Sequence, residues 1–390
     1  RRHVVGGATI TEEIYPGFKF LTGSYLISLL RPQVIQELRL VDHGLQLLPL
    51  ESTVVPLPNG DYLADWPDHD ATRREILRHS RRDAETYEEF SLTMRRLSLA
   101  IKPLLDLFPP DPTSLAPRDI EQMARIRGVL DGMQRRDFYS LCRLCTMSIA
   151  DFLDEWFETQ PLKAIKCTSG IIGSFMGVRS PGSGYVALHH YLGEIDGVRR
   201  AWAFPKGGTG AFSQAIASSA RAFGAEILEN APVAQILVRN GQAYGVALED
   251  GREFEADRII SNADARRTFL SLVEPQHLPD EFLYDIQRFR IASPACKVNL
   301  ALDGLPTFSA IPKDKQMLMR GSIEIAPSVD YLEQAYDDAK YGGWARAPFM
   351  DALIPSLLDP GMAPPGKHVM SLFVEYASSQ LEGGWTEPRK

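Results

Sequence analysis

The chain has 390 residues, 44% of them hydrophobic and 24% charged, an ordinary globular balance that suits two or so domains and a core needing no covalent staples. A net charge of −8 with no basic stripe or tail argues against nucleic-acid binding, and no apolar run reaches the roughly 20 residues of a membrane span. Four unevenly spaced cysteines make no disulfide framework and fit a reducing compartment.

The first 66 residues read as a loop-rich α/β segment. Tyr15-Pro16-Gly17-Phe18 is a turn, and Pro32 to Leu40 is a short helix with proline at its start. Thr53-Val54-Val55 and Tyr62-Leu63-Ala64 flank Pro58-Asn59-Gly60-Asp61 as a hairpin. From Asp70 the pattern turns helical, with Ile76, Phe90, Met94, Leu97 and Ile101 forming an apolar stripe that runs toward Leu107. Pro109-Pro110-Asp111-Pro112 breaks it, and a second helical stretch spans Asp119 to Phe157. The region therefore reads as a largely helical insertion between α/β segments.

Residues 167 to 200 form a glycine-rich connection that contains Pro181-Gly182-Ser183-Gly184-Tyr185 and then His189-His190. The most informative stretch follows, from Phe204 to Asn262. Pro205, Gly207 and Gly208 exclude a helix interior, so a helix begins near Thr209, runs from Ala211 to Phe223, and stops at Gly224. Glu226-Ile227-Leu228 is expected as a strand, then Val233 to Val238 and Ala243 to Leu248 as a hairpin across Asn240-Gly241, then a turn at Asp250-Gly251. Ile259-Ile260-Ser261-Asn262 is expected as a further strand. Ala265 to Leu272 reads as helix, Ala295 to Leu302 and Gly321 to Ile325 as strands, Tyr331 to Tyr341 as helix, and Lys367 to Tyr376 as a buried strand.

Few side chains announce chemistry. Cys142-Arg143-Leu144-Cys145 lies in a helical run with no second pair to complete a zinc site, and the simplest expectation is two small buried side chains. No metal site is expected. His189 and His190, placed on a strand, point to opposite faces, so one of them, His190 for preference, faces a cavity; a packing role for both is the stronger expectation. There is no Gly-x-Ser-x-Gly elbow, His-Glu-x-x-His or Walker A loop.

Several motifs occur together in order: Val5-Gly6-Gly7-Ala8, Pro16-Gly17-Phe18, Ser24-Tyr25-Leu26, Pro181 to Tyr185 with His189-His190, Gly207-Gly208-Thr209-Gly210-Ala211, Leu248-Glu249-Asp250-Gly251, and Pro364-Pro365-Gly366-Lys367-His368-Val369. With them the chain resembles the phytoene-desaturase and carotenoid-isomerase-like FAD-dependent oxidoreductases over nearly its whole length. The resemblance implies an α/β (α+β) protein: a discontinuous FAD-binding, Rossmann-like domain of residues 1–66, 201–280 and 356–390, and an inserted, largely helical substrate domain of residues 67–200 and 281–355. It implies hydride transfer from a small apolar substrate to flavin, in a cavity between the two domains. Arg2, Val5, Gly6, Gly7 and Ala8 are the implied flavin contacts, with the Val233 backbone at the adenine. The family's G-x-G-x-x-G turn, the glutamate after it and a C-terminal glycine-rich segment are not in this sequence, so the chain reads as truncated at both ends, with a cofactor site that is complete only in a longer protein. A flavin amine oxidase and a non-catalytic interaction or regulatory protein are the alternative readings. A protein partner is left open, and the compartment is cytoplasmic in a bacterium or the mitochondrial matrix in a eukaryote.

Overall fold

The computed structural model describes Arg2 to Thr386, apart from the side chain of Arg199; Arg1 and residues 387–390, the ends of the expected FAD-binding segments, lie outside the described residues. The chain divides into two compact units. The smaller comprises Arg1–Gly7 and Ala217–Ala292, and the larger Ala8–Ile216 and Ser293–Lys390.

The smaller unit is built on an antiparallel sheet of Glu253–Glu255, Gln242–Leu248 and Val233–Arg239, in that order. Its hairpin turns at Asn240 (φ 51) and Gly241 (φ 76), the two left-handed positions a type I′ turn demands. Short helical turns at Ala265–Arg267 and Thr268–Leu272 lead to the helix Asp280–Arg288, with Phe269 edge-on to Phe282 at 4.9 Å. Two expected strands are missing. Glu226–Leu228 and Ile259–Asn262 have no neighbouring strand among the described residues, and Ile260 is 92% exposed. Apolar, β-branched sequence does not make a strand without a partner to take its N–H and C=O groups.

In the larger unit a six-stranded sheet joins residues from both ends of the sequence. Its strands are β1 (Thr53–Pro56), β2 (Tyr62–Asp65), β3 (Ala295–Leu302), β4 (Ser322–Ile325), β5 (Trp344–Leu353) and β6 (His368–Ala377), in the spatial order β3-β6-β5-β4-β1-β2. Only β4 and β1 run parallel. Their close approach is possible because residue 321 is glycine: a Cβ there would lie 1.8 Å from the Ser52 carbonyl oxygen.

The helices of this unit include α1 (His69–Leu77), α2 (Arg81–Ile101), α3 (Pro117–Asp131), α4 (Arg135–Thr146), α5 (Ile149–Asp154), α6 (Gln160–Cys167), α7 (Ser183–His190) and α8 (Val329–Ala339), of which α1 and α8 lie against the sheet and the others pack among themselves. The expected stripe of Ile76, Phe90, Met94, Leu97 and Ile101 is buried with Leu63, Phe152, Leu188 and Phe349. Ser80 caps α2 by accepting from the Asp83 N–H at 3.1 Å. The buried Asp83 carboxylate in turn accepts from the N–H groups of Glu158 (2.8 Å) and Thr159 (3.0 Å).

Three expectations change. The compact units do not follow boundaries at 66/67, 200/201, 280/281 and 355/356, because β1 and β2 pair into the same sheet as β3 to β6. Cys142 and Cys145 lie on α4 as expected but are exposed, with Leu144 turned inward between them. His189 and His190 end a helix rather than occupy a strand. Gly182, at φ 89, begins that helix, so the two imidazoles stand about 100° apart around its axis instead of on opposite faces.

Candidate functional site

A cavity of about 740 Å³ lies inside the larger unit, walled by the sheet, by α2 and α6, and by the segments around Gly23–Leu26 and His190–Trp202. It therefore sits within one compact unit, not at a junction of two. Trp66, Ile165, Ile172, Trp202 and Phe373 supply apolar wall; Tyr25, Ser322, Glu324, Asp351, Asp65 and Arg200 line it from two groups of polar side chains whose other members, Lys297, Glu375 and Lys166, lie outside the lining.

Strand register builds the first group. Glu324 stands opposite Asp351, Asp351 opposite Phe373, and Phe373 opposite Lys297, so four neighbouring strands present one row on one face. Glu375 and Ser322 lie two residues along from members of this row and share its face. Tyr25 stacks on Phe373 with ring centres 6.0 Å apart and donates its hydroxyl to Asp351 Oδ2, while Ser322 Oγ donates to Oδ1. Lys297 Nζ lies 3.6 Å from the centre of the Tyr25 ring. That ammonium, Glu324 Oε2 and Glu375 Oε2 are buried without a hydrogen-bond partner among the described residues.

Burial drives the titration of this row. It pushes Lys297 down to about 8 against the attraction of Asp351. It pushes Glu375 up to about 8, aided by the nearby Asp351 charge and opposed by the Gly173 N–H that Glu375 Oε1 accepts. Glu324 and Asp351 are both raised, again chiefly by burial, with Asp351 adding to the rise at Glu324.

The second group centres on Asp65, the last residue of β2. Lys166 Nζ (2.6 Å) and an Arg200 amino group (2.7 Å) both donate to its Oδ2. Burial alone would raise this carboxyl; Lys166 and Arg200 instead hold it well below the usual carboxylate range. The two cations sit over aromatic faces, Lys166 at 5.3 Å from the Tyr87 ring centre and Arg200 at 4.7 Å from that of Tyr191.

Of the two histidines, His190 borders the cavity and His189 is not among its lining residues. The His190 Nδ1 lies 3.0 Å from the Val186 carbonyl, its ring stacks on Trp202 at 6.0 Å, and burial lowers its pKa.

The implied flavin residues fall in two places. Arg2, Val5, Gly6, Gly7 and Val233 belong to the smaller unit, Ala8 to the larger. The Asn230 N–H donates to the Arg2 carbonyl at 2.9 Å, which brings the N-terminal segment beside the start of the Val233 strand. Gly6 (φ 127) and Gly7 (φ 57) make a left-handed turn, and no atom lies within 4 Å of where a Gly7 Cβ would stand. Val233 pairs with Leu248, but the hydrogen bond runs from the Glu249 N–H to the Pro232 carbonyl. Val233 therefore turns its own N–H and C=O to the outer edge of the sheet, where no strand pairs among the described residues. An open glycine turn and a free main-chain edge are what a dinucleotide uses, so these residues fit part of an FAD site. Ala8 accepts from the Ser24 N–H at 2.8 Å, close to the cavity wall at Gly23 and Ser24. Among the described residues no three His, Cys, Asp or Glu side chains are placed to hold a metal ion.

The polar row was legible only in part. Each strand carries a charge among apolar neighbours: Lys297 in β3, Glu324 in β4, Asp351 in β5, which also holds Arg346 near its start, and Glu375 in β6. A charge at an inward position of a buried strand is a usable signal. That the four share one face is a matter of register.

Comparison with known proteins gives the family and the fold. Residues 38–381 match the family model described as flavin containing amine oxidoreductase. The whole chain is 40% identical, over 417 aligned residues and 71% of the relative's length, to pyridine nucleotide-disulfide oxidoreductase domain-containing protein 2 of Mus musculus. Prolycopene isomerase 2, chloroplastic, of an Oncidium hybrid cultivar is 30% identical over 46% of this chain and 28% of its own. An oxidoreductase structure from Methanosarcina mazei superposes with a TM-score of 0.60 at 17% identity, covering 97% of this chain and 72% of the other, and shares the fold. With a family model covering most of its length and a relative this similar from end to end, the chain belongs to the flavin containing amine oxidoreductase family, FAD-dependent oxidoreductases with an α/β fold.

Proposed function

We propose that this protein oxidises a C–H bond of a substrate held in the 740 Å³ cavity, with FAD as hydride acceptor. The observation that carries the reading is the row Lys297–Phe373–Asp351–Glu324, a polar face set at one side of a cavity whose other walls include Trp66, Ile165, Ile172 and Trp202. FAD supplies the electron sink. The protein's residues then have three tasks. Trp66, Ile165, Ile172 and Trp202 exclude water and hold the apolar part of the substrate. Tyr25 and Ser322 fix Asp351, and Asp351 steadies the Tyr25 ring on the cavity wall. Lys297 Nζ, outside the cavity lining against the Tyr25 ring and brought to about 8 by burial, can release or take a proton near neutral pH. Arg2, Val5, Gly6, Gly7, Ala8 and Val233 are assigned to the cofactor, the Val233 main chain to its adenine. His190 is assigned to cavity shape, since its Nδ1 is directed at a backbone carbonyl. Disulfide chemistry has no support, because Cys142 and Cys145 lie exposed on α4 and neither lines the cavity.

Amine oxidation is a second reading. It rests on the family description and on Glu324 and Asp351, two cavity carboxyls able to receive an ammonium group. Anaerobic mixing of the flavin-loaded protein with candidate substrates decides between them. Loss of the oxidised-flavin absorbance with unsaturated or saturated hydrocarbon chains, with a new double bond in the product, supports C–H oxidation. Bleaching by amines alone assigns amine oxidation. Bound flavin that no substrate class reduces would favour a non-catalytic role.

A further inference from the structure

Arg200 is built unlike an ordinary surface arginine. Its backbone is in the left-handed region at φ 59, a conformation that side chains other than glycine adopt at a cost. The turn is held by the Arg200 N–H donating to the Gly193 carbonyl at 2.7 Å. The guanidinium lies over Tyr191 and bonds to Asp65 Oδ2, yet about a third of the side chain stays accessible (32%) because it borders the cavity.

Arg200 does not have its carboxylate to itself. Lys166 and Arg200 share one oxygen of one carboxylate, and Lys166 is only 2% exposed. Tyr87 and Tyr191, the aromatic neighbours, are pushed toward the uncharged form by burial. The sheet carboxyls Glu324 and Asp351 also border the cavity, but both are raised by burial and Asp351 is already held by Tyr25 and Ser322. At the rim, the exposed Glu88 is offset by the exposed Arg95. Burial and the neighbouring Arg200 lower the pKa of Lys166, whereas that of Arg200 is raised, so of the two groups on Asp65 it is Arg200 that holds a firm charge and is accessible from the cavity. A guanidinium has five donors in a planar fork, and those left over can pair with a second carboxylate.

We infer that Arg200, held by Asp65 and Tyr191, is a subsite for the carboxylate end of the substrate, and that the substrate is an apolar chain or ring bearing one carboxylate. The inference rests on the proposed use of this cavity for substrate, but not on the redox step. One carboxylate takes the guanidinium donors that Asp65 leaves unused, and the apolar body has Ile165, Ile172 and Trp202 to lie against.

Binding separates this from the catalytic reading. The flavin-loaded protein is titrated by calorimetry, below micelle formation, with decanoate, decanol, decylamine and decyl phosphate. Decanoate is expected to bind roughly tenfold or more tightly than decanol, the range of a charge-assisted hydrogen bond. Arg200→Gln removes that preference and leaves decanol affinity unchanged. Lys166 still pairs with Asp65 in that variant, so no carboxylate is orphaned. Arg200→Lys keeps the charge without the fork and should lie between the two; it also serves if Arg200→Gln fails to fold. Equal binding of decanoate and decanol, or preference for decylamine, would overturn the inference. Tighter binding of decyl phosphate than of decanoate would overturn the carboxylate assignment. None of these outcomes depends on whether the flavin is reduced, so a failed redox assay and a failed subsite are told apart.

Discussion

Replacing Glu375 by glutamine should flatten the pH dependence of stability. Glu375 is fully buried on β6, with Oε1 on the Gly173 N–H and Oε2 without a partner. The folded carboxyl keeps its proton up to about 8, whereas an unfolded glutamate loses it near 4.5. Through that window the folded state binds the extra proton, so stability falls as pH rises from 4.5 to 8. At about 1.4 kcal/mol per pH unit the whole interval sets a ceiling of about 5 kcal/mol, and the part below pH 7 a ceiling of about 3 kcal/mol. Glutamine keeps the acceptor for Gly173 and has no proton to lose. Denaturant unfolding of both proteins between pH 5 and pH 8 measures the effect. The variant should match or trail the parent at pH 5 and gain on it by about 2–4 kcal/mol at pH 8. Unfolding curves that shift in parallel across this range would show that Glu375 is already ionised in the folded protein, and the buried-acid reading of the row would fail.

Further outcomes follow from the same geometry. Asp65→Asn strands Lys166 and Arg200 as buried cations and should cost about 3–5 kcal/mol, most of it recovered by adding Lys166→Met; a double variant no more stable than the single one would refute the shared ion pair. Gly321→Ala places a Cβ 1.8 Å from the Ser52 oxygen and should separate β4 from β1, seen as insoluble protein or a melting temperature lower by many degrees; normal melting would contradict the parallel pairing. Gly7→Val puts a branched side chain at φ 57 in the open space assigned to the cofactor. It should lower flavin per protein, read from absorbance, while Val233→Ile, whose contact is main-chain, leaves it unchanged; full flavin content in Gly7→Val would remove that assignment.

What could be read in advance was local. The hairpin from Val233 to Leu248 was legible because Asn240-Gly241 dictates its turn within a few residues. The stripe on α2 was legible because Phe90, Met94, Leu97 and Ile101 repeat with the helical period. The flavin family was legible from ordered motifs. Local pattern misled where a partner decides the outcome. Ile259 and Ile260 look like strand but have none beside them, and His189 and His190 look like strand but follow the Gly182 turn into a helix.

The cavity chemistry belongs to tertiary structure. Lys297, Glu324, Asp351 and Glu375 sit in four strands whose order along the sheet is not their order in the chain, and β1 enters the same sheet from more than two hundred residues away. Sequence alone places each charge in an apolar strand. Register alone puts them on one face, and a slip of a single residue would turn any of them to the other side. Arg200 and Lys166 meet on one oxygen of Asp65 only because a left-handed turn, α6 and the end of β2 converge there. The sequence by itself determined which segments coil or extend and which cofactor class they serve, because those depend on near neighbours and ordered motifs. The burial that shifts each proton and the meeting of Lys166 and Arg200 on one carboxylate were decided by packing across the chain.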